Sequence, residues 1–244
     1  MEKISREVFE NCLEDFKEDL LPVDHGDYER MARVFKRIAN GSKDLSQIYD
    51  KSWTITVVDL PIENAFVLPS GNIFVFRGML EFCKNDDQLA VIIGHEMAHA
   101  ILGHSAEILS LASLLDVLVL VPMAVLWALL PNEGIAMVCD WFVNKAKAVI
   151  FNLPFSREME LEADKVGLVL AARACYDVRE APALWHLREL EKTQQLEYFS
   201  DKDLEFNSTH PVDRTRYRQP FGLRTKTKSS MGLYTFIISL GLKN

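Results

Sequence analysis

Apolar residues recur every three or four positions near the start of the chain, at Val8, Cys12, Phe16 and Leu20 and then at Met31, Val34, Phe35 and Ile38. That spacing lines one face of a helix, so residues 5–21 and 27–40 are expected to form two helices packed on a common core. From Trp53 the pattern changes to WTITVVDLPIENAFVLPSGNIFVF, rich in β-branched and aromatic residues, with Pro69-Ser70-Gly71-Asn72 as a turn between short strands. A small antiparallel sheet is the expectation. Helical spacing returns over residues 86–107, where Asp86 or Asp87 could act as N-cap, and again around 156–175 and 179–198. The class this predicts is α+β, mainly helical.

One stretch fits neither period. Residues 108–131, ILSLASLLDVLVLVPMAVLWALLP, are nearly all apolar, broken by Asp116 and Pro122, and GIAMVCDWFV follows at 134–143. The first has the length of a bilayer span, which needs about 20 apolar residues, but an Asp near its middle is costly in lipid and the Pro would kink it. Buried helices or an interfacial hairpin fit as well. Membrane contact is the expectation, because so long an apolar run on a water-facing surface would drive aggregation.

Charge and cysteine usage narrow the function. The net charge of −8 over 244 residues argues against a nucleic-acid binder, which needs clustered Lys and Arg. The imbalance is uneven, with 12 acids against 8 bases in residues 1–50 and one acid, Asp213, against seven bases in 211–244. Cys12, Cys83, Cys139 and Cys175 are scattered without C-x-x-C spacing, as expected of reduced cysteines. The first residues alternate acids with apolar side chains and show no targeting character.

The chemistry begins at VIIGHEMAHAILGHSAE, residues 91–107, which holds His95, Glu96 and His99 in the order H-E-x-x-H. Residues four apart share a helix face, so both histidines can turn a ring nitrogen to one ion. Zinc accepts imidazole nitrogen, needs a third protein ligand and keeps a position for water in catalytic sites. Glu96 borders that ion without ligating it and can take a proton from the water. A third histidine in the longer pattern H-E-x-x-H-x-x-G-x-x-H would have to follow a glycine, but the required positions hold Leu102 and Ser105, with Gly103 and His104 one residue out of phase. The other source is a glutamate on a later helix. SREMELEADKVG, residues 156–167, offers Glu160 as that ligand and Asp164, four residues on, as acceptor of a ligand histidine's outer N–H, with Arg157 one turn before Glu160. The plainer readings are a helix with chance histidines and a solvated acidic face.

Together, His95-Glu96-x-x-His99 and Ser156-Arg157-x-x-Glu160-x-x-x-Asp164 resemble the membrane-associated zinc metalloendopeptidases that include the CAAX prenyl protease and bacterial HtpX. NAFVLPSGNIFVFRGML at 64–80 and STHP at 208–211 are similar to further motifs of that group. The resemblance implies a gluzincin-type domain over residues 51–217 that contains the apolar hairpin at 108–143; the packing helices read at 1–50 precede it, and the atypical basic tail at 218–244 departs from the group's pattern. The resemblance also implies one zinc per chain, a transition-state role for His210 in STHP, a supporting Arg216, and a substrate-binding edge either around Asn64, Ala65 and Phe66, as far as Val67, or on the strand after the turn. By the same resemblance the substrates would be membrane-associated proteins at the mitochondrial inner membrane, cleaved in quality control and under stress, the dynamin-like fusion GTPase among them. Self-association is compatible with it. Two rivals remain, a non-enzymatic zinc-binding membrane scaffold and a zinc aminopeptidase. An intact Glu96 speaks against the first, and no amine-capturing motif supports the second.

Overall fold

The computed structural model describes residues 2–108, 110, 114 and 157–198. The apolar hairpin expected at 108–143, with the exceptions of residues 108, 110 and 114, lies outside them, as do Cys139, His210, Arg216 and the basic tail. Helix α1 (Glu2–Asp15) is followed by a short 3-10 turn (Lys17–Asp19) and by α2 (Gly26–Gly41) and α3 (Ser46–Tyr49). Next come strands β1 (Thr54–Val58), β2 (Ala65–Val67) and β3 (Asn72–Phe76), then α4 (Arg77–Phe82) and α5 (Asp86–Leu102). Helices α6 (Arg157–Arg173) and α7 (Ala181–Tyr198) complete the described residues. Among these, no helix is long and apolar enough to cross a membrane.

The first expected helix stops short of residue 21 because the chain turns to pair with the sheet. Leu21 N–H donates to Val57 O at 2.9 Å and Asp59 N–H to Asp19 O at 2.7 Å, and Pro22 disfavours helix just before it.

The sheet is mixed rather than antiparallel, in the order β1-β3-β2. β1 runs parallel to β3, with Thr54 opposite Asn72 and Val58 opposite Phe76, while β2 is antiparallel to it, with Ala65 opposite Val75. The turn at 68–72 makes the expected β2–β3 hairpin. The departure lies in the link 59–64, which passes the end of β3 to its far side and is held there by Phe76 N–H to Asn64 O and Gly78 N–H to Leu60 O, both 3.1 Å. β1 is thereby left on the opposite flank.

Strand alternation sorts side chains onto two faces. Val58, Phe74 and Phe76 meet Phe9 and Phe16, where α1 closes the outer face, with Phe16 edge-on to Phe76 at 5.4 Å. Val57, Ala65, Val67, Ile73 and Val75 point the other way, into the main core with α2, α4, α5 and α6. β3 is covered on both faces, which is why all five of its residues are buried.

Helix α5 runs through this core. Every residue from Gln88 to Ala100 is buried, so it carries no polar stripe. Asn85, rather than Asp86 or Asp87, caps it, accepting from Gln88 N–H at 2.8 Å. The two aspartates sit in the first turn, where the helix dipole favours them, and they anchor neighbours. Asp86 pairs with Arg30 and Arg33, and Asp87 accepts from Asp177 N–H. Arg30 also donates to Leu80 O and Cys83 O, tying α2 to the corner between α4 and α5. The expected helix over 86–107 is broken at Gly103, whose φ of +81° places it in the left-handed region that glycine adopts freely. A further helical turn covers residues 104–108.

Candidate metal centre

His95, Glu96 and His99 lie in the buried middle of α5, each at most 3% exposed. Burying three ionisable groups in one stretch is costly unless they are paired with each other, with neighbours or with an ion. Their surroundings come from α6. His95 and His99 turn their Nε2 atoms to within 3.0 Å of each other, and Glu160 closes the group, its Oε2 3.6 Å from His95 Nε2 and its Oε1 3.3 Å from His99 Nε2. Glu160 is itself 1% exposed. These ligand atoms all lie within 4.8 Å of one another.

What brings α6 so close is a pair of glycines. A Cβ on Gly94 would stand 2.6 Å from Gly167 O, and one on Gly167 would stand 2.6 Å from His95 N. Backbone therefore lies against backbone one residue before His95. From that crossing Glu160 sits two turns back along α6 and Asp164 one, which carries both carboxylates to the histidine face of α5. Asp164 Oδ1 lies 2.9 Å from His95 Nδ1, the nitrogen facing away from the ligand group. Trp185 of α7 covers the His95 ring edge-on, with centroids 5.6 Å apart.

His104 is the buried titratable group that motif counting set aside. Its Nδ1 is 3.1 Å from His99 Nδ1 and its Nε2 is 3.5 Å from Glu162 Oε2. Burial pushes its pKa below the ordinary histidine value, against the upward pull of Glu162.

The edge residues divide by strand geometry. Asn64 O accepts from Phe76 N–H, and Leu68 N–H donates to Asn72 O. In an antiparallel pair the backbone groups alternate in direction, so Ala65 and Val67 aim theirs away from β3 while Asn64 and Phe66 aim theirs toward it. The Phe66 ring is stacked on Phe74 on the outer face, at 4.9 Å. Ala65 lines a small cavity with Met79, Ile92, His95, Glu96, Trp185 and Arg188, so the outer edge of β2 adjoins the Glu96 carboxylate. Arg157 is exposed at the start of α6. The glycine pair, Trp185 and the orientation of His104 were not foreseen. A glycine inside each of two buried helices was the available signal for the first.

The donor set suits a metal ion. Around a tetrahedral zinc, with bonds of about 2.0–2.1 Å, ligand atoms stand roughly 3.3 Å apart. Separations of 3.0, 3.3 and 3.6 Å bracket that value, and a cation relieves the repulsion of two imidazole lone pairs facing one carboxylate.

Comparison with known proteins agrees. The model of Peptidase family M48 matches residues 27–219. The chain is 39% identical over 218 residues to "Metalloendopeptidase OMA1, mitochondrial" of Homo sapiens, covering 87% of this chain and 40% of that protein. It is 33% identical over 217 residues to "Mitochondrial metalloendopeptidase OMA1" of Schizosaccharomyces pombe, covering 89% and 59%. A more distant relative, the "Beta-barrel assembly-enhancing protease" of Escherichia coli, is 26% identical over 156 residues, covering 63% and 30%. The chain thus spans less than two thirds of the length of each. With most of its residues inside the family match and a buried His-His-Glu group at the expected positions, this chain belongs to peptidase family M48.

Proposed function

We propose that the chain is a zinc-dependent metalloendopeptidase domain, with one zinc ion held by His95, His99 and Glu160. The observation that carries the reading is the buried group of these three side chains with Glu96 beside it. When bound, zinc supplies Lewis acidity, making water nucleophilic near neutral pH and polarising the scissile carbonyl. Glu96 takes the proton from the attacking water and returns it to the amine nitrogen as the C–N bond breaks. Asp164 holds His95 Nδ1–H, which fixes the ring orientation and leaves Nε2 as ligand. An extended substrate lies along the outer edge of β2, bonding to the backbone of Ala65 and Val67. Family resemblance adds His210 as donor to the developing oxyanion and Arg216 as its support.

The OMA1 relatives of Homo sapiens and Schizosaccharomyces pombe are mitochondrial by name, which supports a mitochondrial setting, and the substrate class we infer is membrane-associated protein at the inner membrane, including the dynamin-like fusion GTPase. Residues 108–143 are the segment that would meet the membrane. Elemental analysis and peptide cleavage by three proteins test the core of this reading. Wild type is expected to carry about one zinc per chain, Glu160→Gln to lose it, and Glu96→Gln to keep it while cleavage falls at least about 100-fold. Full zinc in Glu160→Gln, or undiminished cleavage by Glu96→Gln, would refute it. Equal cleavage of N-terminally blocked and unblocked peptides separates an endopeptidase from an aminopeptidase.

A further inference from the structure

The two histidine ligands are braced by different chemistry. His95 has the Asp164 carboxylate 2.9 Å from its outer nitrogen, whereas His99 has a second imidazole, with His104 Nδ1 3.1 Å from His99 Nδ1 in a fully buried contact. We propose that His104, backed by Glu162, is a positioning residue that fixes the tautomer and angle of His99. The proposal rests on the metal-centre reading above.

Proton placement follows from the geometry. His99 Nε2 faces His95 and Glu160, so as a ligand it must offer a lone pair and carry its proton on Nδ1. Two N–H groups cannot point at each other across 3.1 Å. His104 Nδ1 must therefore accept, which puts the His104 proton on Nε2, facing Glu162 Oε2 at 3.5 Å. The order is Glu162, His104, His99, metal, with each proton directed outward from the metal. His104 is not itself a ligand, because the His99 ring separates it from the Nε2 group.

The backbone is arranged to allow this. Five residues along an unbroken helix correspond to a rotation of about 140°, which would carry His104 to the far side of α5 from His99. The left-handed turn at Gly103 changes that direction, and the rings meet edge-on with centroids 5.1 Å apart. Among the described residues a Cβ at Gly103 would touch nothing within 4 Å, and the positive φ is what calls for glycine there.

The test measures zinc affinity of the full chain by chelator competition, alongside His104→Leu and His104→Asn, which match in size. Asn offers an amide oxygen near the place of Nδ1, and Leu offers no acceptor. Leu is expected to weaken zinc binding about 10- to 100-fold, and Asn to recover most of that loss. Wild-type affinity in His104→Leu, or equal weakening in both variants, would overturn the proposal, the second outcome marking a packing role. A readout independent of variant folding is the long-range proton–nitrogen spectrum of the zinc-loaded wild type. There His104 should be protonated on Nε2 alone, and a proton on Nδ1 would overturn the assignment. Failure of wild type to bind zinc would instead refute the metal-centre reading, and this inference with it.

Discussion

Replacing Gly167 with alanine should damage the site although it adds only a methyl group. In an ordinary helix this change is favourable by about 1 kcal/mol, through helix propensity alone. Here the new Cβ would stand 2.6 Å from His95 N and 2.8 Å from both Gly94 C and His95 Cα. All three are backbone atoms of a buried helix, so no side chain can rotate away. Reaching ordinary contact at about 3.4 Å or more requires the helices to separate by roughly 0.8 Å. Overpacking of this kind typically costs about 1–3 kcal/mol, a melting-point loss of a few degrees for a domain of this size. The larger effect falls on function, because catalytic groups must be held to about 0.5 Å and a misplacement near 1 Å can cost on the order of 100-fold in rate. Glu160 and Asp164 ride on the displaced helix. Expected for Gly167→Ala are a lower melting temperature, weaker zinc binding by chelator competition and cleavage reduced by about two orders of magnitude. Unchanged zinc affinity with a raised melting temperature would show that the backbone crossing does not set the site.

Acid stability should depend on the α2 anchor. Burial pushes Asp86 upward, but hydrogen bonds from Arg33 and Arg30 outweigh it and hold the carboxyl below its usual range. A depressed folded pKa stabilises above the unfolded value and is lost as pH falls through the folded one, so below about pH 4 wild type should lose an increment that Asp86→Asn lacks throughout. Parallel urea melts at pH 3 and pH 6 check this, and an identical pH slope for both proteins would refute it. Thiol chemistry should separate two cysteines. Burial pushes Cys83 up to about 12, whereas Cys175 is exposed. Iodoacetamide at pH 8 on the folded protein should alkylate Cys175 and spare Cys83 by peptide mapping, and early modification of Cys83 would contradict its placement.

Much of the site was legible because it is written in helical spacing. His95 and His99 are four apart, as are Glu160 and Asp164, and each pair had one possible face once its helix was assigned. What failed was information held between elements. The direction of β1 depends on which side of β3 the 59–64 link passes, and composition does not record that. Motif counting set His104 aside because it and Gly103 stand one residue out of phase with the longer pattern, whereas the left-handed turn at Gly103 returns the ring to the site. Gly94 and Gly167 read locally as weak helix positions and acquire meaning only where two backbones meet. Motif left the candidate edge at Asn64 to Val67 or on the strand after the turn; topology decides, because β3 is the central strand, and register points to Ala65 and Val67 as the residues of β2 that face outward.

The ligand-bearing helices touch directly, although more than fifty residues separate Leu102 from Arg157. In folding terms the contact closes a long loop, and closure entropy grows only logarithmically with length, by about 0.6 kcal/mol per doubling. Past the turn that carries His104, the length of the intervening segment is therefore nearly a free variable. It can change widely at small closure cost, while the crossing keeps His95, His99 and Glu160 in register. Such an arrangement makes the catalytic frame and the stretch between its halves separable modules, open to independent change.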